Sequence, residues 1–187
     1  VSLIGTAGVV ASPRRAIGLA LGGLVGMAAM LAANARAHDR LLPRTAADLS
    51  TATGLGLLTI FSTEAAVIGF TVYGPAFIQA QHRASPLLAG YVVGAIAAGW
   101  TACAMLVAKV PAERDGRFVR LGVVVILLGA AASAWATPRG TLIETALAFA
   151  LLGAGFGLCH AFVARRTIGG APADEQAMAS GAVPTSQ

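Results

Sequence analysis

Apolar residues run through this chain in long stretches, each closed by a short polar and mostly basic segment. A helix needs roughly 20 apolar residues to cross about 30 Å of hydrocarbon. Five stretches meet that length: Ala16–Ala33, Leu49–Ile78, Leu87–Val110, Phe118–Ala136 and Leu142–Val163. The pattern therefore predicts an all-α fold, a polytopic membrane helical bundle in which residues 12–163 supply five transmembrane helices. Val1–Ala11 is apolar but too short to span, and reads as the tail of a truncated helix. Ser12-Pro13-Arg14-Arg15 reads as a turn. Gly74-Pro75 is expected to kink or loosen the second helix near its far end. Gln79–Pro86 reads as a short polar loop, and Pro111–Arg120 as a charged one. Residues 164–187 are small and polar, broken by Gly169-Gly170-Ala171-Pro172, and read as a cytoplasmic linker leading to a further helix.

Composition excludes the soluble alternative. The chain has 187 residues, 57% hydrophobic and 11% charged. Soluble proteins sit near 45–50% and about 25%, and a soluble domain of this size has no means of hiding so much apolar surface. Glycine is abundant, at 23 residues, which suits close helix packing in lipid. The net charge is +5 and the pI about 10.2. These cations do not alternate with aromatics along a stripe, so nucleic-acid binding is not expected. Cys103 and Cys159 lie inside apolar stretches with no metal-ligand or disulfide spacing, and read as small buried residues. The start at Val1 and the stop at Gln187 read as cut ends of a longer protein, and no signal peptide is seen.

The cations instead mark topology. The segments 34–48, 109–120 and 164–175 share one side and hold nine Lys and Arg; the opposite side holds Arg14, Arg15, Arg83 and Arg139. The positive-inside rule places the set of nine in the cytoplasm. The expected location is the plasma (inner) membrane, multi-pass, with the lipid bilayer as first partner.

Several segments resemble a known family. They are Arg40-Leu41-Leu42-Pro43 before the second span, and Tyr73-Gly74-Pro75-Ala76-Phe77-Ile78-Gln79 at its exit. Ala84-Ser85-Pro86-Leu87-Leu88-Ala89-Gly90-Tyr91 opens the third span, Ala98-Gly99-Trp100-Thr101 lies within it, and Gly153-Ala154-Gly155-Phe156-Gly157 lies in the fifth. In this order and spacing, covering most of residues 35–187, they resemble the major facilitator superfamily, most closely its fourteen-span drug:proton antiporter branch. The resemblance implies a C-terminal-half fragment, roughly spans eight to twelve with the tail of the seventh. It implies proton-coupled efflux of small amphipathic compounds by alternating access. The implied partners are protons, a small-molecule substrate and the remaining N-terminal helices of the same transporter. Val110-Pro111-Ala112-Glu113-Arg114-Asp115-Gly116-Arg117 departs from the family's Gly-x-x-x-Asp-Arg-x-Gly-Arg-Arg pattern, keeping only an acidic and basic cluster with Gly116 and Arg117. The family's antiporter signature belongs to the N-terminal half.

Glu64 is the foremost chemical candidate. A carboxylate at bilayer depth is costly and usually marks an ion or substrate pathway. Leu57, Ile60, Phe61, Val67, Ile68, Thr71 and Pro75 approximate its helix face, and Ser62 and Thr63 adjoin it. It reads either as a proton-coupling carboxylate or as a structural one, neutral or hydrogen-bonded to a neighbouring helix. Tyr73 and Gln79 are candidate substrate contacts, against the ordinary interfacial placement of Tyr. Trp100, mid-span, reads as a stacking surface for a cationic substrate or as bundle packing. His160 reads as a relay group or as a packed histidine. Glu113, Arg114, Asp115 and Arg117 form the candidate cytoplasmic gate loop. Nothing points to an enzyme, a metal or a cofactor: no phosphate loop or HExxH occurs, and the close glycines 153, 155 and 157 suit helix packing. A non-transporting scaffold or channel subunit is the alternative, in which Glu64 is dispensable.

Overall fold

The computed structural model describes residues 13–37 and 40–186. Among them every regular element is helical. In chain order these are α1 (Pro13–Arg36), α2 (Ala52–His82), α3 (Pro86–Val107), a 3₁₀ turn (Ala112–Arg114), α4 (Asp115–Arg139), α5 (Leu142–Gly169) and α6 (Gln176–Thr185). Five helices, α1 to α5, are long and apolar enough to cross a membrane, as in a multi-pass membrane protein. At 1.5 Å per residue the 31 residues of α2 extend about 46 Å, so α2 either tilts or projects beyond the hydrocarbon.

The helix starts are locally encoded. Thr51 Oγ1 accepts the Gly54 N–H at 3.1 Å, and Ser85 Oγ accepts that of Leu88 at 3.3 Å, with Pro86 in the first turn of α3. Thr141 and Glu144 form a reciprocal capping box at α5. Arg83, at φ 51°, closes α2 in the left-handed region.

The helices outrun the apolar stretches. α2 runs through Gly74-Pro75 and continues four residues past Ile78 to His82, so the expected loop shrinks to residues 83–85. α4 starts at Asp115 rather than Phe118, and α5 runs to Gly169, six residues past Val163. After Val163 the chain reads Ala-Arg-Arg-Thr-Ile, with no breaker before Gly169-Gly170 and Pro172, so the helix outlasts the apolar stretch. The linker after 163 contains a helix of its own, the ten-residue α6, too short to span. The helix tail expected over residues 1–11 lies outside the described residues.

α5 is the centre of the bundle. Half of its span is buried, against 17% for each of α2, α3 and α4 and none for α1. Its glycines let two neighbours approach on different sides. A Cβ on Gly153 or Gly157 would collide with the carbonyls of Ile96 or Trp100 on α3. One on Gly155 would lie 2.6 Å from the Ile126 nitrogen of α4. The buried face of α4 repeats every seven residues, at Asp115, Gly122, Gly129 and Ala136, which is the spacing of a left-handed helix crossing. One apolar cluster joins Ile78, Ala89, Val92, Ile96 and Phe149, with Phe70 edge-on to Phe149 at 5.5 Å. A second joins Leu57 and Ile60 of α2 to Ala182 and Val183 of α6.

Candidate functional site

α2 presents Thr53, Leu57, Ile60, Glu64 and Ile78 along one helical face. Thr53, Leu57, Ile60 and Ile78 are buried, whereas Glu64 between them is half-buried and Thr71 is exposed. The inner face of α2 thus seals at both ends and opens in its middle. Glu64 lies twelve residues, or about 18 Å, along α2. Among the described residues it makes no hydrogen bond or ion pair.

Two open grooves run along the adjacent face of α2. One, of about 410 Å³, is lined by Thr59, Ser62, Thr63 and Ala66 of α2, with Ile126 of α4 and Phe156 of α5 among its other walls. The other, of about 240 Å³, is lined by Phe70, Tyr73 and Phe77 with Thr137 and Phe149. Glu64 lines neither groove; its neighbours Ser62 and Thr63 line the larger. Tyr73 faces the smaller. Gln79 does not: its amide donates to the Pro75 carbonyl of its own helix at 3.1 Å. Trp100 and His160, candidates on different spans, are brought together with ring centroids 5.2 Å apart. Trp100 also packs on Phe156 at 5.7 Å, so this aromatic group backs the larger groove.

One end of the bundle is tied by charge. Arg165, near the end of α5, holds the buried Asp115 through Nε–H to Oδ2 at 3.2 Å and through Nη2 to Oδ1. The same guanidinium donates to the Val110 carbonyl and lies 5.2 Å over the Phe162 ring. Glu175, also buried, accepts the Arg44 backbone N–H at 2.8 Å and its Nε–H at 2.9 Å. Thr53 donates to the Thr167 carbonyl at 2.9 Å. Asn34 at the end of α1 accepts the N–H groups of Leu41 and Leu42. These bonds gather the three segments that share nine cations. Of the gate-loop candidates, Asp115 is buried and paired, while Glu113, Arg114 and Arg117 are exposed and make no ion pair among the described residues. Arg44, Arg165 and Glu175 were missed as site residues; Arg44 and Arg165 appear in the sequence only as two of nine same-side cations.

Outside the spans, Asp48 caps the turn into α2. Ser50 donates its hydroxyl at 2.6 Å and its backbone N–H at 2.9 Å to Asp48 Oδ1. These bonds hold that carboxyl below its ordinary pKa. Among the described residues no group of three or more His, Cys, Asp or Glu is placed to hold a metal ion. No family model, curated protein or solved structure matches the chain.

Proposed function

We propose that the chain is part of a secondary active transporter of the major facilitator type. It exports small amphipathic compounds in exchange for protons across the plasma membrane, and it is not an enzyme. The observation that carries this reading is Glu64: a carboxyl without a bonding partner among the described residues, half-buried on the open middle of a membrane helix, next to a hydroxyl-lined groove. Such a group is expensive in lipid and is retained where a proton or substrate passes. When protonated it is neutral and compatible with an apolar wall; when ionised it needs water or a cationic substrate beside it. Alternation between these states couples a proton to a substrate as one helical bundle rocks against another around a midplane site. The partner bundle would close the two open grooves. Tyr73 and the Trp100–Phe156–His160 group supply the aromatic wall for a lipophilic cation, and the Asp115–Arg165 and Arg44–Glu175 pairs hold the cytoplasmic end closed in one state.

The test uses everted vesicles from cells expressing the full-length gene, a pH-sensitive dye and a panel of lipophilic cations. Substrate-evoked proton release is expected in the wild type and is lost in Glu64→Gln, while membrane insertion is unchanged. Release that persists in the variant removes Glu64 from the coupling path. Absence of release with every compound in the wild type favours the scaffold or channel reading.

A further inference from the structure

The face of α4 opposite its buried seven-residue repeat meets nothing in the bundle. It carries Arg117, Arg120, Leu121, Val124, Leu128 and Trp135, all exposed. The four apolar members are 48–58% exposed. Read along the helix, this face has arginines at the cytoplasmic end, aliphatic side chains through the middle and a tryptophan at the far end. Arg117 and Trp135 are eighteen residues apart, about 27 Å of helix, close to the hydrocarbon thickness of a bilayer. The face is therefore dimensioned to lie against lipid, with the arginines at headgroup level and the tryptophan in the opposite interface.

A third guanidinium joins them. The Arg166 guanidinium lies against Gly116: a Cβ built there would be in van der Waals contact with it, 3.4 Å from Nη2. Arg120 uses Nε to donate to the Gly116 carbonyl at 3.0 Å, leaving its terminal nitrogens without a bonding partner among the described residues. Arg120 and Arg166 thus flank Gly116, and Arg117 follows it. Of the nearby carboxylates, Asp115 is buried and taken by Arg165, and Glu113 is exposed and makes no ion pair among the described residues. No ion pair among the described residues involves Arg117, Arg120 or Arg166.

We propose that Arg117, Arg120 and Arg166 form a binding site for the phosphate of an anionic phospholipid in the cytoplasmic leaflet, its acyl chains lying along Leu121, Val124 and Leu128. Juxtaposed cations at this depth attract anionic lipid, and the planar guanidinium matches the two free oxygens of a phosphodiester. The apolar stripe below distinguishes the occupant from a free anion. The site depends on the helices spanning a membrane and not on transport.

The test is native mass spectrometry of the purified full-length protein in detergent, titrated with dioleoyl phosphatidylglycerol or dioleoyl phosphatidylcholine. Detergent removes any effect of these arginines on membrane orientation. Phosphatidylglycerol adducts are expected to exceed phosphatidylcholine adducts in the wild type. Affinity falls about fivefold for each arginine removed, on the order of 100-fold in R117Q/R120Q/R166Q. The lysine triple R117K/R120K/R166K, which keeps the charge but not the planar fork, loses less than the glutamine triple, and R14Q/R15Q at the opposite end is unchanged. Equal adduct levels for the two lipids, an unaffected glutamine triple, or an equal loss in R14Q/R15Q overturns the proposal. So does displacement of the lipid by excess inorganic phosphate, which assigns the site to a free anion. If the glutamine triple loses helix content, R117Q/R120Q, which changes two exposed side chains only, carries the same test with about a 25-fold loss expected.

Discussion

Gly153→Ala adds one methyl group at the tightest approach of α3 and α5. Its Cβ would lie 2.7 Å from the Ile96 carbonyl carbon and 3.0 Å from its Cα, with the carbonyl oxygen nearer still. All three atoms are backbone, so no side chain swings aside to make room. Restoring ordinary contact requires the two helices to separate by roughly 1 Å, and overpacking of this kind costs about 1–3 kcal/mol. Alanine's better helix propensity returns up to about 1 kcal/mol. Gly94→Ala, on the exposed side of α3 with no atom within 4 Å of the added carbon, receives the propensity gain alone. The propensity gain is common to both, so the two variants should differ by the overpacking cost, about 1–3 kcal/mol, Gly153→Ala being the less stable. Titration of the purified protein from mild detergent into SDS, followed by far-ultraviolet circular dichroism, reads the difference as a shift of the midpoint. Coincident transitions for the two variants would refute the glycine-mediated contact of α3 with α5.

Two further perturbations probe the polar end. Arg165→Gln strands the buried Asp115 carboxylate and should cost about 2 kcal/mol, whereas Asp115→Asn leaves a guanidinium that water reaches and should cost about 1 kcal/mol or less; the same SDS titration checks the order, and equal losses would contradict it. The Asp48 carboxyl is held below its ordinary pKa by the Ser50 hydroxyl first and the Ser50 backbone N–H second. Because the folded value lies below the unfolded one, the turn's contribution is present above the ordinary carboxylate pKa and is lost as pH falls through the folded value. Ser50→Ala should move the Asp48 titration upward, measured by carboxyl carbon NMR on aspartate-labelled protein; an unmoved titration would show that the hydroxyl is not the cause.

The membrane-spanning architecture was legible in residue order because lipid imposes a length and a polarity on every crossing segment. All five expected spans recur as helices, shifted at their ends by a few residues. The grouping of residues 34–48, 109–120 and 164–175 on one side was legible for a similar reason: an odd or even number of crossings decides the side. Glu64 stood out because a carboxylate contrasts with everything around it, and the 3.6-residue period put it on the face of Leu57 and Ile60.

What residue order left undetermined is rotation and neighbourhood. A helix surrounded by lipid has no polar side that identifies its partners, so nothing in the pattern announced that α5 is central or which glycines meet which carbonyls. Arg44 and Glu175 are 131 residues apart, and Asp115 and Arg165 are 50 apart. Their pairing depends on how whole helices are ordered and turned in the bundle. The same holds for Trp100 beside His160, for the groove that Ser62 and Thr63 line while Glu64 does not, and for the three arginines around Gly116. The chain by itself specified which segments enter the membrane and on which side its charges gather, because those follow from local transfer free energies. Only packing at close range decided which of those charges are paired, which stay exposed and unpaired, and where the bundle stays open.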